Sequence, residues 1–131
     1  MLQGFRGRSI GAAHLRRHGY PLALAPVTVS PDLAARIPDC TDPATLLRLG
    51  VRPDALASHD RRVTQAIARH LHAGGEVGLQ WWSALTGAWH SVVLFGDRYQ
   101  RGDLAFGSPE PLSTEHQAVV TATRMLGIDL L

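Results

Sequence analysis

The chain contains no lysine: its 13 basic residues are all arginine, set against 11 acidic residues. The resulting net charge of +2 is too small by itself to imply a nucleic-acid partner, although a pI near 9.3 permits one; no direct nucleic-acid contact is expected. Arginine offers a planar fork suited to carboxylates and phosphates. A single cysteine, Cys40, excludes an internal disulfide framework and a cysteine-based zinc site, and suits a reducing cytoplasm. No apolar run approaches the roughly 20 residues that span a bilayer, so no membrane association is expected. No acid precedes Asp32, whereas Arg6, Arg8, Arg16 and Arg17 do. A basic start followed by PLALAPVTV has the outline of a targeting segment. The apolar stretch begins late and holds Pro21 and Pro26, so a cytoplasmic domain is the expectation. A Gly-rich phosphate loop is also missing, since GGEVG reads as a helix-to-strand turn.

What is present describes a globular protein. With 131 residues, 45% of them hydrophobic and 18% charged, the chain fits one domain over residues 1–131. Residues 9–18 show weak helical periodicity through Ile10, Ala13 and Leu15, ended by Tyr20-Pro21. LALAPVTVS reads as extended, and Pro26 puts it at a sheet edge or breaks it there. In DPATLLRLG, Asp42 is an N-cap, Pro43 a first helical residue and Gly50 a terminator. From Asp60 to Ala73, Val63, Ile67 and Leu71 fall four apart on one helix face, which Gly74-Gly75 ends. Residues 77–82 and 89–95 read as strands on their Val, Trp and Phe content. A turn-rich stretch then leads to a last helix, with Thr114 and Gln117 as a capping box and Gly127 as its end. This order predicts an α+β domain, a small mixed sheet flanked by helices.

Seven histidines invite a metal reading. His14 and His18 have the i, i+4 spacing of joint ligands, but no third ligand follows from spacing. His70 and His72 point to different faces of their helix. No metal is expected. Asp60, His90 and Ser83 supply the residue types of a hydrolase triad, yet Trp82-Ser83-Ala84 is not the G-x-S-x-G elbow. The more informative feature is GLQWWSALTGAWHSVVLF, which places Trp81 and Trp82 side by side before Ser83. Strand alternation puts Trp81 and Ser83 on one face and Trp82 on the other.

The stretch DRRVTQAIARHLHAGGEVGLQWWSALTGAWHSVVLF resembles the second half of the RES domain. In that family an Asp-Arg-x-x-Thr-Gln helix leads through a Gly turn to a G-[ILV]-x-[YW]-x-S strand end, then to a strand closing in Leu-Phe. Asp60, Arg61, Thr64, Gln65, Gly78, Trp81 and Ser83 occupy those places. Upstream, IPDCTDPATLLRLG is similar to the family's strand and short helix, and the tail PLSTEHQAVVTATRMLGIDL to sequences that follow its core. The resemblance covers about residues 30–128.

The resemblance implies an ADP-ribosyltransferase-like fold and a bacterial, cytoplasmic toxin that degrades NAD+ as glycohydrolase or phosphorylase. It also implies neutralisation by a cognate helix-turn-helix antitoxin. NAD+ would be substrate, with no metal. Ser83 matches the serine of the family name and is the catalytic candidate, and Trp81 with Ser83 would contact NAD+. The family's Arg and Glu belong to an N-terminal segment, and LQGFRGR resembles the stretch just after that Glu. Arg6 and Arg8 do not sit in the family's Arg context. The fold is therefore expected to be incomplete, and two readings follow: an NAD+-consuming toxin, or a shortened, inactive binding module that forms a homo-oligomer. By alternation Trp82 is expected to pack in the core, opposite the pocket face. Glu76, at the start of the Ser83 strand, is expected to lie too far away to replace the missing carboxylate.

Overall fold

The computed structural model describes residues 9–83 and 86–131. Helices and short strands both contribute, so the fold is α+β as the element order predicts. The chain divides into two units, one running up to Thr28 and resuming at Phe106, the other spanning Val29–Ala105.

The first unit begins with β1 (Ser9–Ile10), a 3-10 turn at Ala12–Leu15, and a hairpin of β2 (Arg16–Arg17) and β3 (Tyr20–Pro21). The helix expected over residues 9–18 does not form. His18 and Gly19 both adopt positive φ, 52° and 84°, the backbone of a tight antiparallel turn that no right-handed helix can contain. Arg16 Nη2 closes the turn by donating to the Gly19 carbonyl at 2.7 Å. β4 (Ala23–Leu24) follows, and β5 (Val27–Val29), interrupted from β4 at Pro26 as expected, carries the chain into the second unit.

There, α1 (Pro31–Ala34) is capped by the Ser30 hydroxyl, which accepts from the Leu33 amide and donates to Asp103 Oδ1 at 3.0 Å. α2 (Pro43–Leu49) starts on Asp42, whose carboxylate accepts from the Ala44 and Thr45 amides, and ends at left-handed Gly50. A single turn, α3 (Pro53–Leu56), precedes α4 (Arg61–Ala73), which Asp60 caps through the Arg62 amide at 2.8 Å. Leu71 of α4 is buried, with Val63 and Ile67 half-buried along the same face. Gly75, at φ 87°, turns the chain into β6 (Gly78–Trp82).

β6 pairs antiparallel with β7 (His90–Leu94), in register from Gly78 opposite Leu94 to Trp82 opposite His90. Along the other edge of β6, Gln80 donates to the Pro38 carbonyl and accepts from the Cys40 amide, both at 2.9 Å. Cys40, Leu46, Leu49, Val51, Leu71 and Leu79 form the buried cluster, with Leu56, Ile67, Trp81 and Phe95 packed against it. The strand that leads to Ser83 is thus fixed on both edges and on one face.

The chain leaves the second unit along β8 (Leu104–Phe106). β9 (Glu110–Pro111) pairs antiparallel with β4, and α5 (Gln117–Leu126) leads through left-handed Gly127 to β10 (Asp129–Leu130), parallel to β1. The expected Thr114–Gln117 capping box is replaced by His116, whose Nδ1 accepts from the Ala118 amide at 3.1 Å. The helix starts two residues too late for Thr114 to be its cap, and Gln117 instead donates to Thr121 Oγ1. Among the described residues, Ile10, Leu15, Val119, Leu126 and Ile128 are the buried apolar side chains of this unit. Among the described residues, no helix is long and apolar enough to cross a membrane.

Candidate functional site

Where β6 runs out beside the α3–α4 connection, the second unit has a cleft of about 320 Å³. One wall is Trp81, Trp82 and Ser83; the other is Leu56, Ala57, Ser58 and His59. Both walls are built locally. Trp81 and Leu56 each have one side against the buried cluster, so their positions follow from core packing. Ser83 remains tied to the hairpin beyond the strand proper, its amide donating to the Trp89 carbonyl at 2.7 Å. On the opposite wall, Ala57 and Ser58 donate back to the Pro53 and Ala55 carbonyls, and the Ser58 hydroxyl accepts from the Asp60 amide at 3.1 Å.

The two indoles meet with ring centroids 4.7 Å apart and planes inclined at 60°. Trp82 was expected in the core opposite the pocket face; instead it is 41% exposed and lines the cleft with Trp81. Its face of β6 also carries Gly78 and Gln80, neither of which belongs to the buried cluster. At the strand end Trp82 therefore packs against its own neighbour. Trp81 and Ser83 share the cleft as expected.

The other candidates lie elsewhere. Glu76 pairs with Arg48 at 3.1 Å and does not line the cleft. Glu110, in the first unit, faces His116 at 3.4 Å. Arg6 and Arg8 lie outside the described residues. His14 accepts from the Gly11 amide through Nδ1, and His18 sits in the left-handed turn, so the i, i+4 helix geometry supposed for them does not arise. His70 Nε2 bonds the Leu49 carbonyl, and His72 Nε2 meets Asp97 at 2.8 Å. Among the described residues no three His, Cys, Asp or Glu side chains gather as a ligand set.

Beside the strand, the Thr41 hydroxyl and amide donate to Asp39 and hold its carboxyl below the usual range. Burial raises the Cys40 thiol. Neither residue lines the cleft. Ser58 and His59 were not singled out by sequence reasoning. The Asp60 cap located the loop just before the helix, but no spacing connects that loop to the end of β6.

Two indoles, two hydroxyls and one imidazole give the cleft a mixed apolar and polar lining of the kind that holds small organic ligands. A model of the RES domain family matches residues 4–115. The chain belongs to the RES domain family. The match reaches further toward the start of the chain than the resemblance read from about residue 30, taking in β1 to β5, and stops just before α5. Trp81 and Ser83 fall within it, as does the whole wall formed by Leu56 to His59. No curated protein and no solved structure matches this RES domain chain.

Proposed function

We propose that the cleft is an NAD+ site, and that the chain is a bacterial, cytoplasmic toxin-type protein that cleaves the nicotinamide–ribose bond and is held in check by a helix-turn-helix antitoxin. Membership of the RES domain family supports this reading, as does one observation above all: two adjacent indoles line the cleft that holds Ser83. The nicotinamide ring of NAD+ is flat and cationic, and tryptophan is the side chain that attracts a flat cation best. When the C–N bond breaks, its electron pair passes to the ring nitrogen, so the leaving nicotinamide is neutral. The indoles then lose the cationic part of their attraction for it, which favours release. The ribose takes up the positive charge and is captured by water or phosphate. In this reading Ser83 positions a ribose hydroxyl, and Trp81 carries the ring.

The test is to incubate the chain with NAD+, with and without phosphate, and to follow nicotinamide and the ribosyl product by chromatography. Nicotinamide should accumulate, and Ser83→Ala should slow it by about 10²-fold through lost positioning. Absence of both turnover and NAD+ binding would refute the reading.

A second reading, an inactive binding module that assembles with itself or an antitoxin, is favoured by a different observation. Among the described residues, no carboxylate and no guanidinium lines the cleft. Cleavage draws on an acceptor for the charge that develops on the sugar. Tight NAD+ binding without nicotinamide release would establish this second reading.

A further inference from the structure

The cleft is at the small end of ligand sites, which run from about 300 to 1,000 Å³. A base with its ribose fits such a volume, and a whole dinucleotide does not, so the diphosphate of a bound NAD+ must emerge over the rim. His59 stands on that rim. It is exposed, it lines the cleft, and it carries the one side-chain N–H outside the indoles among the described lining residues. Its neighbours are anchored: the Ser58 amide donates a hydrogen bond to the Ala55 carbonyl, and the Asp60 amide donates one to the Ser58 hydroxyl. The imidazole is therefore carried on a short, hydrogen-bonded connection.

Four of the other six histidines differ from His59, whereas His18 and His90 do not line the cleft. The rings of His14, His70, His72 and His116 each bond a group of the protein itself: the Gly11 amide, the Leu49 carbonyl, Asp97 and the Ala118 amide. Among the described residues, neither ring nitrogen of His59 has a hydrogen-bond partner. An imidazole held at the mouth of an aromatic cleft, with its nitrogens uncommitted, is placed to donate to a ligand oxygen.

Resting on the NAD+ reading above, we propose that His59 binds the ligand's phosphate oxygens, so that the site selects phosphorylated nicotinamide ribosides over the bare riboside. Ser58 and His59 supply the polar, outer part of the site, and Trp81 and Trp82 its aromatic inner part. His59 is a binding and specificity residue here and takes no part in breaking the bond.

The experiment measures the affinities of the wild-type chain, His59→Gln and His59→Ala for three probes: NAD+, nicotinamide mononucleotide and nicotinamide riboside. Quenching of the cleft tryptophans is the readout. A charge-assisted hydrogen bond lost from the phosphate should weaken NAD+ and the mononucleotide by about tenfold and leave the riboside unchanged. The melting temperature should hold in both variants, since the ring is exposed. Equal weakening of all three probes would overturn the proposal by placing His59 on the base or sugar. Unchanged affinity for NAD+ would overturn it outright while leaving the NAD+ site intact. If the wild-type chain bound none of the probes, the site assignment itself would fall, and the role of His59 with it.

Discussion

Gly78→Ala is the substitution from which the sheet geometry has most to lose. A Cβ built on Gly78 would lie 2.9 Å from the Val93 carbonyl carbon and 3.0 Å from Leu94 Cα, and closer still to the Val93 oxygen. These are backbone atoms of the paired strand, so no side-chain rotation relieves the clash, and β7 must move away from β6. Such movement strains the ladder on either side, including the Phe95 amide bond to the Val77 carbonyl at 2.9 Å. Losing about two hydrogen bonds, at about 1 kcal/mol each, adds to about 1–3 kcal/mol for the forced repacking of Leu79 and Phe95. The expected loss is therefore about 3–5 kcal/mol. Urea denaturation followed by tryptophan fluorescence measures it. Gly102→Ala, where nothing lies within 4 Å of the added Cβ, is the control and should stay within about 0.5 kcal/mol of wild type. A Gly78→Ala midpoint equal to that of wild type would refute the tight register described for the hairpin.

Three further outcomes follow from the same packing. Leu71 is 1% exposed in the cluster beneath the cleft, so Leu71→Ala should cost about 2–5 kcal/mol in a denaturant titration. Asp60→Ala removes the cap from α4 and should cost about 1 kcal/mol by the same measurement. Acid stability is set by carboxylates whose folded pKa lies below the ordinary value. Asp39 is held down by Thr41, Asp97 chiefly by the His72 ring, and Asp103 by the Gln100 amide and then the Ser30 hydroxyl. A depressed carboxyl contributes its stabilisation fully above its unfolded value, near pH 4, and loses it as pH falls through the folded value. Melting temperature should therefore drop on acidification below about pH 4. In Asp97→Asn the drop should be shallower; an unchanged profile would remove Asp97 from the set.

Much of the second unit could be read from its sequence because its signals are local. Asp42-Pro43 and Gly50 bracket α2, Asp60 and Gly74-Gly75 bracket α4, and Val-rich runs mark the two strands. The β2–β3 hairpin escaped because it depends on a left-handed His18, a conformation a non-glycine side chain seldom announces. α3 escaped because four residues carry no periodicity, and the turn exists by packing on α4. The site divides in the same way. Alternation correctly joined Trp81 to Ser83 in the cleft. It misplaced Trp82, which lines the same cleft instead of packing in the core, because at the strand end the indole has its neighbour Trp81 to pack on. His59 was illegible because its proximity to Ser83 arises only when the α3–α4 connection folds beside the end of β6.

Cys40 has a practical consequence. It is the chain's one thiol, fully shielded, and burial suppresses its ionisation. Its backbone is bonded to Gln80, one residue from Trp81. A soluble alkylating reagent can reach the sulfur only when this edge of the sheet opens, because the thiolate is the reacting form and must meet solvent. The modification rate of the folded protein is thus a clock for breathing of the strand that carries the indoles. Any ligand that clamps Trp81 and Trp82 should slow it, whatever chemistry follows.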